Sequence, residues 1–278
     1  MATFNDLDRV LFADQVFGEL EGSTPAYSVA DTSTTDELQF VGQSIRIPVL
    51  ADSMVAQDTA SATYQTLSAD GILMTVDFDK TVAFKVGDRD IIKTGQDWVS
   101  KGAKEAGRIL RKAWDASILS KVSGASTVLD NGGAGYAPAN VTDMLDDVAA
   151  QMDALDLPDE GRYIIVPALV KGAIRAALSD RSTSWGDSVA KDGFVEMARG
   201  VKVYLSNNTA AASVSSYNCM AGVEGYGIAA VVQINPEDVE ILRDPDANAF
   251  GYRVKARALG GSKVYLADKV ISVLANTV

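Results

Sequence analysis

Apolar and polar positions alternate with two different periods along the chain, and the changes of period divide it. In "SIRIPVL" the residues Ile45, Ile47 and Val49 share one face. In "ILMTVDFDKTVAFKV" the residues Ile72, Met74, Val76, Phe78, Val82, Phe84 and Val86 share one face, with Thr75, Asp77, Asp79 and Lys85 opposite. Period-two alternation predicts strands with one face buried. Pro48 cannot donate to a ladder, so the first strand is expected at an edge or at a bulge. Between the two runs lie about twenty residues of Ala, Ser, Thr, Asp and Gln with little to bury, "ADSMVAQDTASATYQTLSADG". A connection of that length is foreign to a compact domain. It becomes reasonable if the two strands form a hairpin that leaves the body and packs on another chain. Fifteen residues per limb would reach roughly 50 Å.

From about Thr94 to Val122 the period becomes helical. Val99, Ala103, Ala106, Leu110, Ala113 and Ser117 fall on one stripe, and Lys101, Lys104, Arg108, Arg111 and Lys112 on the opposite side. A helix of some 28 residues would span about 42 Å. "SGASTVLDNGGAGYAP" ends it with turn-forming residues. Helix and strand then alternate: "ANVTDMLDDVAAQMDALD" with Asn140 or Thr142 as N-cap, the strand "RYIIVP", and a helix starting at Pro167. "GVKVYLSNN" is a further strand, "CMAGV" and "GIAAVVQI" are strands or a short helix, and strands close the chain in "DVEILRD", "GYRVKARALG" and "KVYLADKVISVLA". The mixture defines an α+β chain without an internal repeat.

Charge sharpens this picture. The chain carries 37 acids and 25 bases, a net charge of -12. Within residues 1–40, Asp6, Asp8, Asp14, Glu19, Glu21, Asp31, Asp36 and Glu37 face Arg9 as the single base, an acidic arm. Its beginning has helical spacing at Leu7, Val10, Leu11 and Phe17, and "STPAYSVADTSTTD" reads as an irregular linker. The basic face of the long helix has three readings: a solvated face, a nucleic-acid patch, or a surface for an acidic protein segment. The overall charge repels DNA, and Trp114 is the only aromatic residue in the basic stretch. The arm supplies a complement from the same sequence, which favours the third reading.

Composition and candidate chemistry mostly exclude. Hydrophobic residues make up 47% of the chain, and no apolar run approaches the roughly 20 residues of a membrane span. The start, "MATFNDLDRVLFADQVFGELEG", has neither the basic start nor the apolar block of a signal peptide. The single cysteine, Cys219, reads as a small buried hydrophobe, and a reducing compartment fits. Without histidine, Ser-His-Asp and Cys-His catalysis are impossible. Asp244, Asp246 and Asn248 have calcium-loop spacing, but Ala249 and Lys255 stand where Gly and Glu are required. "GGSK" at Gly260 to Lys263 and the set Gly222, Gly225 and Gly227 fit no phosphate or dinucleotide motif and read as turns. Asp77 with Asp79, and Asp88 with Asp90, share the solvent face that strand alternation predicts. Ser100-Lys101 and Ser120-Lys121 point in different directions on a helix. No catalytic residue, metal or cofactor is therefore expected, and the chain is read as not an enzyme.

The order of these elements resembles the major capsid protein of tailed double-stranded DNA bacteriophages, the HK97-like fold. "SIRIPVLADS" leads into the projecting loop, "AGRILRKAWDASIL" is the spine helix, "RYIIVPALVKGAI" and "GVKVYLSNN" build the central block, and "ALGGSKVYLADKVISVLA" closes it. The resemblance implies an N-terminal arm over 1–40, an extended loop over 41–80, a peripheral domain over 81–135 and 236–278, and an axial domain over 136–235. It implies pentamers and hexamers that assemble in the host cytoplasm into an icosahedral head, a virion enclosing double-stranded DNA without sequence-specific contacts and without membrane. A portal and a separate scaffolding protein are the further partners expected. Some family members cross-link through a lysine of the extended loop, and residues 51–79 contain no Lys. The functional residues of such a protein are subunit contacts. The candidates are Lys101, Lys104, Arg108, Arg111 and Lys112 on the helix, Asp6, Asp8, Asp14, Glu19 and Glu21 on the arm, and Asp52, Asp58, Tyr64 and Asp70 on the loop. An encapsulin-type nanocompartment shell, a histidine-free hydrolase and a solitary binding module are the alternatives.

Overall fold

Alternation runs through residues 71–87 without a slip, yet this stretch makes two strands with different partners. The computed structural model describes residues 25–33, 44–50, 59, 69–87, 98–179, 197–213, 215–233, 240–244 and 251–276. In it β1 (Ser44–Leu50) pairs antiparallel with β2 (Ala69–Thr75), Ser44 opposite Thr75 and Leu50 opposite Ala69. Among the described residues β1 has no other partner, so the strand carrying Pro48 is an edge. Ile47 and Met74 are buried against Ala229 and Val231, which fixes the root of the hairpin to the body.

After Val76 and Asp77 the chain continues as β3 (Phe78–Gly87), which pairs with β12 (Gly251–Val264). Along the other edge of β12 lie, in succession, β11 (Glu240–Asp244) and β10 (Ile228–Val232). "GGSK" is therefore not the turn expected between two strands but the interior of one. The glycines serve close approach instead. A Cβ on Gly260 would stand 2.5 Å from the Trp114 ring and 2.6 Å from the Val231 carbonyl oxygen. On Gly261 it would run into the Thr75 carbonyl oxygen.

After the short helix α1 (Pro25–Val29) comes the long helix α2 (Trp98–Ser120), about 35 Å long, which lies across this sheet. Ala103, Ala106, Leu110, Trp114, Ile118 and Leu119 are buried against Phe78, Val254, Ala256 and Ala258. The buried line departs from the expected stripe: Val99, Ala113 and Ser117 lie at its rim, half-buried. Trp114 and Ile118 have far more apolar surface to remove from water than Ala113 and Ser117, so the helix presents them to the sheet. Phe78 meets Trp114 edge to face at 4.7 Å.

The second sheet is mixed, in the order β4 (Thr127–Leu129), β13 (Ile271–Asn276), β9 (Ser216–Val223), β5 (Arg162–Val166), β7 (Val201–Leu205) and β6 (Met197–Ala198), with β8 (Ala210–Ser213) also on β9. Helices α3 (Val141–Ala154) and α4 (Ala168–Ser179) cover one face over Ile164, Val166, Cys219 and Ile271. Tyr163, Ile165 and Met220 face the α2 side. With both faces covered, all five residues of β5 are buried, which is why "YIIV" reads as one apolar run. The ladders cross the boundaries expected from sequence: β4 and β13 join this sheet, whereas β10 joins β12. Asn140 occupies the N-cap of α3 as expected, though its side chain makes no capping bond. Gly225 and Gly227 turn with positive φ, while Gly222 lies within β9. Burial pushes the Cys219 thiol up to about 12, as befits a hydrophobe.

Residues 25–31, expected within an irregular linker, belong to the body. Pro25–Val29 form the short helix α1, and Ala26, Val29 and Ala30 are buried with α2. The next residue extends a sheet edge: Asp31 N donates to Ile228 O at 2.8 Å and Ala230 N to Asp31 O at 3.0 Å. The Tyr265 hydroxyl donates to Asp31 Oδ2 at 3.1 Å, and burial together with that carboxylate pushes the phenol up to about 12. Tyr136 and Tyr163 are raised by burial in the same direction. A phenol raised above its unfolded value, about 10, contributes stability below pH 10 and loses it as pH climbs through the folded value. Stability is therefore expected to fall as pH rises from about 10 toward 12, seen as a lower denaturation midpoint by near-ultraviolet circular dichroism. A midpoint unchanged between about pH 9 and 11 would contradict it.

Candidate assembly surfaces

The outer face of α2 brings the expected bases together. Lys101, Lys104, Arg108 and Lys112 are exposed, and Arg111 is half-buried. The face is less uniform than its bases alone imply. Glu105 lies among them, accepting from Arg108 Nε at 2.9 Å, and this hydrogen bond holds the Glu105 carboxyl below the usual range. Ile109 is 43% exposed on the same face.

Beside it is a group that the sequence pattern did not single out. Asp115, 2% exposed, sits where α1, α2 and the β7–β8 connection meet. Its Oδ1 accepts from Ala26 N at 3.2 Å, and its Oδ2 accepts from the Ser206 hydroxyl and from Asn208 Nδ2 at 2.9 Å. A buried carboxylate needs such donors, and here they tie three elements at one point. Asn207, between two of those donors, accepts from Ala168 N at 3.0 Å and so caps α4. By helical spacing Asp115 falls among Arg108, Arg111 and Lys112 on the basic side of α2, so the pattern predicts a solvated acid and gives no signal of its burial. Above Asp115 opens a cleft of about 340 Å³, lined by Pro25, Arg108, Arg111, Lys112, Leu205 and Asn207 among others.

A second basic surface also went unread. On the outer face of the β3–β12 sheet, Lys85, Arg253, Lys255 and Arg257 are exposed, around a groove of about 430 Å³ floored by Ala83 and Leu242. Arg257 holds Asp79 by two bonds, 2.9 and 2.7 Å, which keep the Asp79 carboxyl below its ordinary value. Its cations recur at every second residue of "YRVKAR". Asp77, read as plain solvent-face charge, pairs with Lys121 at 2.6 Å. Asp70 lies opposite Val49 in the hairpin ladder. Asp6, Asp8, Asp14, Glu19, Glu21, Asp52, Asp58 and Tyr64 lie outside the described residues, as do Asp88, Asp90, Asp246 and Asn248.

A long helix laid over one sheet, a second helix-backed sheet and a two-stranded ribbon packed beside them define a subunit of the HK97-like capsid class. The chain superposes on a structure from Mycobacterium phage Che8 over 92% of both chains, with a TM-score of 0.74 at 21% identity. It likewise matches the capsid of the cyanophage P-SCSP1u over 84% of both chains (TM-score 0.65, 15% identity). The virus-like particle of Pyrococcus furiosus matches over 94% of this chain and 97% of that one (TM-score 0.58, 12% identity). At these identities the likeness is one of fold. No curated protein matches the sequence. The family model for phage capsid protein matches residues 74–268, more than half of the chain, and the chain belongs to that family. It is a structural major capsid protein, and its place is the capsid of the virion.

Proposed function

We propose that the chain assembles as pentamers and hexamers into an icosahedral phage head enclosing double-stranded DNA, and that it does so as a structural subunit without enzymatic activity. The observation that carries this is the hairpin. A two-stranded ribbon is marginal alone in water, and among the described residues this one packs on the body through Ile45, Ile47 and Met74 while Leu73 is 51% exposed. A neighbouring copy is the natural cover for the rest. Several such contacts per subunit would together exceed the roughly 2,000 Å² at which obligate interfaces begin.

Within this reading the seven-stranded sheet with α3 and α4 is the axial domain, and α2 with the β3–β12 sheet is the peripheral domain. Residues 1–24 are the arm, and the basic face of α2 meets an acidic protein segment. Assembly takes place in the host cytoplasm with a separate scaffolding protein and a portal. The turn at Gly132 and Gly133, both with positive φ and open space around them, is the hinge for expansion. Deleting residues 51–68 tests the reading. Sedimentation should shift from shell-sized particles to capsomers or smaller species, while the circular dichroism of the body stays unchanged. Undiminished shells from the deleted chain would overturn it.

A further inference from the structure

We propose that Asn131 is a site of spontaneous modification in the folded chain, where its side-chain amide is lost as ammonia through a cyclic imide with the Gly132 nitrogen, leaving isoaspartate and aspartate. The reaction needs only the folded chain and water, and is independent of the assembly proposed above.

The sequence supplies the first argument. Asn131 is the only asparagine of the chain that is followed by glycine. Ring closure brings the backbone nitrogen of the next residue onto Asn131 Cγ, and glycine, with no Cβ, leaves that approach open. Each other asparagine precedes a bulkier residue, as Asn140 precedes Val141 and Asn218 precedes Cys219.

The turn supplies the second. Residues 131–134 are all exposed, with φ of 48° at Asn131 and 72° at Gly132. Asp130 O accepts from Gly133 N at 3.1 Å and from Gly135 N at 2.7 Å, whereas the Gly132 nitrogen has no acceptor among the described residues. The attacking atom is therefore not held by a bond that must first break. The Asn131 amide is also without a partner among the described residues, while Asn207 caps α4, Asn208 donates to Asp115 and the Asn276 amide donates to Ala134 O at 2.7 Å. A Cβ on Gly132 would meet nothing within 4 Å, so there is room for the imide ring.

The steps balance without an oxidant or reductant. The Gly132 nitrogen bonds to Asn131 Cγ, its proton passes through solvent to Nδ2, and ammonia departs. Water then adds across one of the carbon–nitrogen bonds of the imide. Opening at Cγ gives aspartate on a normal main chain, and opening at the backbone carbonyl carbon gives isoaspartate, with the chain routed through Cγ. Either product places a carboxylate next to Asp130, near the Tyr136 hydroxyl that donates to Asp147 at 2.7 Å. Isoaspartate also lengthens the main chain by a methylene just before Tyr136, whose backbone is bonded to Leu274 O and to Asn276 N. The contact between this turn and the end of β13 is where an aged chain loosens.

The test incubates the purified full-length chain in mildly alkaline buffer, with native circular dichroism verified throughout. Peptide mapping by mass spectrometry, with chromatography separating aspartyl from isoaspartyl peptides, follows every asparagine. Asn131 should convert first, ahead of Asn140 and Asn218, with isoaspartate among its products. Gly132→Ala puts a methyl group on the attacking residue and should slow the conversion roughly tenfold, equivalent to about 1.4 kcal/mol in the barrier. Conversion of Asn131 no faster than that of the other asparagines, or only in the denatured chain, would overturn the proposal. Aspartate without isoaspartate, or an unchanged rate in Gly132→Ala, would overturn the imide route. Each of these outcomes is read whether or not shells form.

Discussion

Gly260→Ala should lower the stability of the folded chain by about 3 kcal/mol or more. The added methyl would meet the Trp114 ring at 2.5 Å and the Val231 carbonyl oxygen at 2.6 Å, and the second of these belongs to a hydrogen-bonded strand that cannot step aside. Overpacking costs about 1–3 kcal/mol when side chains yield, and the upper end or beyond is expected where backbone blocks the way. Against a typical stability of about 5–15 kcal/mol that is a large loss. Gly132→Ala is the control: a Cβ there meets nothing within 4 Å, and its φ of +72° limits the cost to about 1–2 kcal/mol. Chemical denaturation of both variants checks the contrast. Equal, small effects would mean that α2 does not press on β12 as described.

Asp115→Ala is the second large effect. Removing the carboxylate orphans the Ala26 N–H, the Ser206 hydroxyl and the Asn208 amide together. Each unmet buried donor costs about 1–3 kcal/mol, and water entering from the cleft would recover part, so a net loss of about 2–4 kcal/mol is expected. Asp115→Asn keeps the shape but turns an NH2 toward donors, and should recover little. The loss should be accompanied by faster proteolysis around residues 25–33, because the knot is what ties α1 to the body. A change below about 1 kcal/mol with unaltered proteolysis would show that the knot is dispensable.

These two sites mark where sequence reading succeeded and where it stopped. The strands at 44–50 and 71–87, the long helix, its basic face and the buried β5 were legible because one-sided burial imposes period 2 or 3.6 on the side chains. Sheet membership was not. Nothing local in "GGSK" distinguishes a turn from a strand that another element presses upon, because the demand for glycine comes from Trp114 and Thr75, far away in sequence. Long-range pairing was closed to sequence reading for the same reason: β13 pairs with β9, some fifty residues before it, and no local pattern encodes that register. The α2 bases were found, but Asp115 was overlooked because an isolated acid in an amphipathic helix carries no motif. Its meaning lies in donors about ninety residues distant. The cation row of β12 alternates as any half-exposed strand does, so its pattern carries no sign of a basic surface.

Electron microscopy of the purified full-length chain, expressed alone and together with a scaffolding protein, tests the central claim most directly. The account predicts closed icosahedral shells built of pentamers and hexamers in at least one of the two preparations, with the hairpin of each subunit lying over its neighbour. Discrete monomers or small oligomers under both conditions, from protein with native circular dichroism, would contradict it.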